Sequence, residues 1–95
     1  MSTVLGLLHL ELDVVQAQSL KDKRRAVKSF KTKIGNEFNV SVAEVDGLES
    51  HRRCVLAVAM VGNDHAYVEG ALQKIVQLAQ SHRDMVLTDD QTEWL

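Results

Sequence analysis

Arg53–Val61, RCVLAVAMV, is apolar on both of its alternating sets: Val55, Ala57, Ala59 and Val61 on one, Cys54, Leu56, Val58 and Met60 on the other. A strand with one wet face alternates apolar and polar residues, whereas an unbroken apolar run suits a central strand covered on both faces. Upstream, Phe38–Asp46 reads as the preceding strand, with Phe38, Val40, Val42 and Glu44 on one parity. Asp46-Gly47 begins the turn between them, and Leu48–Arg52 makes it longer than a tight hairpin. Downstream, Gly62-Asn63-Asp64 caps a helix over His65–His82 whose apolar stripe is Val68, Ala71, Leu72, Ile75, Leu78 and Ala79. Arg83-Asp84 then leads into a last strand, Met85–Thr88 at least and extending toward Trp94, with an acidic tail over Asp89–Glu93.

At the other end of the chain, Leu8, Leu10, Leu12 and Val14 alternate with His9, Glu11 and Asp13, so Thr3–Val15 is a strand. The first helix, Ser19–Ile34, opens on Ser19 as N-cap with Asp22 three residues on, close to a capping box. Gly35-Asn36 supplies a left-handed stop, with fraying as far as Glu37. At about 100° per residue, Leu20, Ala26, Val27, Phe30 and Ile34 share one arc, the core face. Lys21, Arg24, Arg25, Lys28 and Lys31 share the neighbouring arc. Lys23 falls inside the apolar arc, where its ammonium must snorkel out or find a partner.

The order βαββαβ predicts an α+β fold: a four-stranded antiparallel sheet of ferredoxin-like type with both helices on one face. The first and third strands are then central, as the double-sided apolar run requires. The 95 residues form one domain, 1–95, with a single core. Because the helices cover one face only, Leu5, Leu7 and one parity of Arg53–Val61 are left on the other. Exposed apolar patches of that kind mark association sites, and a homodimer through the open sheet face is expected.

Composition narrows the class. An apolar share of 45% with 25% charged residues and no proline describes an ordinary globular domain without disordered linkers. The single Cys54 allows no internal disulfide and reads as a buried structural thiol in a reducing compartment. The opening MSTVLGLLHLELD lacks a basic leader and is interrupted by His9, Glu11 and Asp13. Neither a signal peptide nor a membrane span is expected, and the location expected is cytoplasmic.

The net charge of −2 hides a segregation. Ser19–Glu37 holds seven of the eleven basic residues against two acids, a segment charge of +5 that leaves −7 for the rest.

SLKDKRRAVKSF (Ser19–Phe30), followed by FNVSVAEVD (Phe38–Asp46) and a strand–helix–strand half, resembles the YlxP-like family of small bacterial proteins along essentially the whole chain. The matching positions are Ser19, Leu20, Lys21, Lys23, Arg24 and Phe38–Val45, and Gly35 departs from an expected helix former. The resemblance implies a ferredoxin-like domain of unknown function with no catalytic residues to carry over. Its members are often encoded beside translation initiation factor two and ribosome-binding factor A, which points toward translation or ribosome assembly.

Two residue groups stand out. Glu44 shares parity with core-facing Val40 and Val42, and the first helix starts at the end of the sheet where the second strand finishes. Lys23 and Glu44 are therefore expected to form a partly buried ion pair locking helix to sheet, a structural role in preference to a catalytic couple. Lys21, Arg24, Arg25, Lys28 and Lys31 are candidate phosphate contacts for RNA or a ribosomal particle. No aromatic residue is interleaved with them, so backbone or shape readout is expected rather than base stacking. A solvated helix face is the commoner fate of such a charge run.

His9, His51, His65 and His82 lack metal-ligand spacing, no glycine-rich phosphate loop occurs, and Asp89-Asp90 reads as a solvated pair. No metal, cofactor or small-molecule substrate is expected, and the protein is not read as an enzyme. The function expected is that of a non-enzymatic RNA- or ribosome-associated binding protein; the alternative is a protein-interaction module with no nucleic-acid role.

Overall fold

The computed structural model describes residues 1–95, in the order β1 (Val4–Asp13), α1 (Leu20–Glu37), β2 (Ser41–Asp46), β3 (Arg53–Gly62), α2 (His65–Ser81) and β4 (Val86–Trp94). The strands form one antiparallel sheet in the order β2-β3-β1-β4, which places β1 and β3 at the centre. This is the α+β ferredoxin-like arrangement expected from the alternation of elements.

The core lies between the sheet and the two helices. One parity of β1 (Leu8, Leu10, Leu12) and one of β3 (Cys54, Leu56, Val58, Met60) meets Phe30 and Ile34 of α1 and Val68, Leu72 and Ile75 of α2 in a single cluster. Phe38, Val40 and Val42 pack against it from the β2 side. The two helices lie on the same face because both sets of stripe residues converge on the same sheet parity.

Several boundaries differ from expectation, each for a local reason. The helix α1 runs through Gly35 and Asn36 to Glu37, and Phe38 closes it in an extended conformation while its N–H bonds to the Ile34 carbonyl. The left-handed stop expected at Gly35 is absent, since the one residue with positive φ is Gly47. Helical glycine costs only about 1 kcal/mol, and a helix already anchored by Ile34 absorbs it. The strand β2 begins at Ser41 rather than Phe38, because its partner positions on β3 start at Ala59. The last strand reaches Trp94, the longer of its expected extents, and its acidic stretch Asp89–Glu93 pairs with β1 from Glu11 to Leu7. The capping serine behaves as expected, with the Asp22 N–H donating to Ser19 Oγ at 3.1 Å. The Asp22 carboxylate returns to the Gln18 N–H, one residue before the capping-box position.

Candidate functional site

The helix α1 divides its surface as the 100° spacing dictates. Lys21, Arg24, Arg25 and Lys28 are exposed, and none of them bonds to an acid, so their charge faces solvent. Lys31 is half-buried, since its angle places it next to Leu20 at the edge of the core arc. Its positive charge reaches inward to Cys54. Four of the five candidate phosphate contacts therefore form one open cationic strip, with Lys31 at its margin.

Beneath that strip, Lys23 is 1% exposed and fully bonded. Its Nζ donates to Glu44 Oε2 at 2.8 Å, to the Gly47 carbonyl at 2.7 Å and to the Arg53 carbonyl at 3.3 Å. Three donors meet three acceptors, which is the full capacity of an ammonium. The expected Lys23–Glu44 pair is present, and its geometry adds what spacing could not supply: the ammonium also clasps both sides of the β2–β3 turn. A surface cleft of about 370 Å³ opens beside Arg25 between the first loop and α1, floored by Val14, Ala17 and Ala26. Neither Lys23 nor Glu44 lines it.

Cys54 lies under the pair with no exposed surface. Burial pushes its thiol up to about 12, and the Glu44 carboxylate adds to the rise against the opposing pull of Lys23. A thiol held protonated this firmly is a packing residue.

Sequence patterning missed a second charged cluster, on the open face at the same end of the sheet, where β1 finishes and β3 begins. Arg52 holds the Asp13 carboxylate with two bonds of 3.0 and 3.2 Å, while Arg53 reaches Asp46 at 3.3 Å and Glu11 at 3.6 Å. The Arg53 hydrogen bond, followed by that from the Gly47 N–H, holds the Asp46 carboxyl below its usual range. Arg52–Asp13 and Arg53–Glu11 are far apart in sequence and become neighbours through the β1–β3 register, in which Asp13 faces Arg53, while Arg53–Asp46 closes across the β2–β3 turn. They also consume their own charges. The basic strip on α1 thus remains a cluster of four exposed cations without ion-pair partners.

The four histidines stay apart. His65 stacks against Trp94 at 4.1 Å and approaches Glu69, and His82 meets the edge of Phe30 at 5.8 Å. No three His, Cys, Asp or Glu side chains converge as a metal-holding group. Asp89 and Asp90 point to opposite faces of β4, as adjacent strand residues must. No helix is long and apolar enough to cross a membrane.

Comparison with known proteins agrees with the fold. A de novo designed protein, Foldit4, superposes with a TM-score of 0.59 over 99% of this chain and 97% of its own, at 14% identity, a likeness of fold alone. The uncharacterised protein YlxP of Bacillus subtilis (strain 168) is 30% identical over 91 residues, covering 96% of this chain and 99% of that protein. The model of a family described as protein of unknown function (DUF503) matches residues 5–92. The chain belongs to this family, described as protein of unknown function (DUF503).

Proposed function

We propose that this is a non-enzymatic binding protein whose basic α1 face holds the phosphate backbone of RNA, in a ribosome-associated role. The observation that carries the reading is the exposed strip of Lys21, Arg24, Arg25 and Lys28, none of them ion-paired, on a protein of net negative charge. A solvated helix face generally interleaves acids at i+4 spacing. Here α1 has Asp22 near its start and Glu37 at its end, with no acid between. From Lys21 to Lys28 the helix advances about 10 Å, close to three nucleotide rises of one strand. Such a strip touches three or four phosphates and reads no bases, because the aromatics lie elsewhere: Phe30 in the core, Tyr67 on α2 and Trp94 on β4. The genomic company implied by the family resemblance points the same way.

A second reading is a protein-interaction module, favoured by the apolar open face of the sheet. Co-sedimentation with ribosomal particles across a salt series separates the two. The RNA reading expects pelleting at low salt that falls steeply with added salt and is competed by free bulk RNA. Pelleting that free RNA does not compete would move the contact to a ribosomal protein, and no pelleting at low salt would remove the ribosomal reading.

A further inference from the structure

We infer that the open face of the sheet is the seat of a second copy of this chain, with β1 of each copy lying over β3 of the other. The face is uneven in a particular way. Along β1 it carries Leu5, Leu7 and His9, while the register partners on β3 are Val61, Ala59 and Ala57. Ala43 extends the low ground onto β2 beside Ala57. A ridge of large side chains therefore runs beside a trough of alanines. A two-fold axis along the strands exchanges β1 with β3, so the Leu7 ridge of each copy enters the Ala57–Ala59 trough of the other. A two-fold contact is reciprocal, so where Leu7 of one copy meets Ala59 of the other, Ala59 of the first meets Leu7 of the second.

The charges obey the same exchange. Asp13 and Arg53 are register partners within the chain, so the axis that seats Leu7 over Ala59 also sets Arg53 of each copy over Asp13 of the other. Opposite charges meet there beside the pairs each copy already makes, Arg52 with Asp13 and Arg53 with Asp46 and Glu11; the same axis brings Asp89 of β4 over Asp46 of the other copy, an acid that Arg53 already neutralises. The area is sufficient as well. Strands β1 and β3 are ten residues long, and four strands about 4.8 Å apart give a face of roughly 600 Å². Two copies together reach about 1,200 Å², where specific interfaces begin. Val61 is 55% exposed in the single chain, and this arrangement covers it with Leu5.

The sheet stands between this face and α1, so the contact leaves both basic strips on the outside, and its test reads mass alone, independent of RNA. Sedimentation velocity of the full chain is expected to give twice the 10.6 kDa chain mass. Leu7→Lys and Ala59→Arg, both outward-facing, are expected to weaken association at least about 100-fold by burying unpaired charge, with circular dichroism unchanged. Single-cysteine additions fix the geometry. Leu7→Cys mixed with Ala59→Cys should cross-link under mild oxidation in higher yield than either variant alone, and buried Cys54 is silent. A chain that stays monomeric at about 100 µM, above the affinities that interfaces of this size reach, would overturn the inference and leave the face to a different protein. A dimer insensitive to both substitutions, or a mixed yield no higher than the separate ones, would overturn it equally.

Discussion

Lys23 and Glu44 are not symmetric partners. The Lys23 ammonium is 1% exposed, whereas the Glu44 side chain retains 16%. Remove the carboxylate and the ammonium stays buried against two carbonyls without its counter-charge. Remove the ammonium and the carboxylate can turn to water. Glu44→Ala is therefore expected to cost ~3 kcal/mol in urea unfolding, and Lys23→Met less. A loss under ~1 kcal/mol for Glu44→Ala would class the pair with surface ion pairs. Cys54 gives a separate check. Burial pushes its thiol from an ordinary 9.0 up to about 12, so above pH 9 the unfolded chain releases a proton that the folded chain keeps. Its contribution is complete below pH 9 and is lost as pH rises toward 12, at up to about 1.4 kcal/mol per pH unit. Cys54→Ala should flatten the fall in stability between pH 9 and 11, and native Cys54 should resist alkylation at pH 8 that proceeds readily in urea. Equal alkylation rates in both states would contradict the burial.

At the level of elements, the β2–β3 turn is where the fold is least tolerant. Gly47 has φ of 77°, and an added Cβ would meet the Arg53 carbonyl oxygen at 2.6 Å. That same oxygen accepts from Lys23, as does the carbonyl of Gly47. Gly47→Ala is expected to lose about 2 kcal/mol or more through backbone strain and loss of the Lys23 clasp, measured by thermal or urea unfolding; a neutral effect would show that the turn relaxes freely. The elements themselves were legible in sequence because period two and period 3.6 are written directly in Leu8–Val14 and Leu20–Ile34. Their ends were less so. Gly35 looks like a stop in isolation, yet Ile34 packing carries the helix past it, and the start of β2 is set by where β3 offers a partner. The Lys23–Glu44 pair was legible because both residues break the pattern of their own face. The Arg52–Asp13 and Arg53–Asp46 pairs break no pattern, so only the sheet register exposes them.

Over the whole molecule, charge is sorted by layer. The +5 segment Ser19–Glu37 includes α1, while Glu11, Asp13, Asp89 and Glu93 lie on the open face of the sheet or at its β4 edge. Separation of that kind orients a protein on an anionic surface, helix first. The central claim is that four side chains, Lys21, Arg24, Arg25 and Lys28, neutralise RNA phosphates. The most direct measurement is the salt dependence of binding to a single-stranded RNA, followed by fluorescence anisotropy, for the wild type and for a charge-reversed variant carrying Glu at all four positions. All four are outward-facing, so a matched circular dichroism spectrum and unfolding midpoint confirm that the comparison is like for like. The account predicts a slope of log K against log salt near −3 for the wild type, about −0.7 for each of four phosphates, and no measurable binding for the reversal. A wild type that fails to bind at low salt, or a reversal that binds with an unchanged slope, would contradict it.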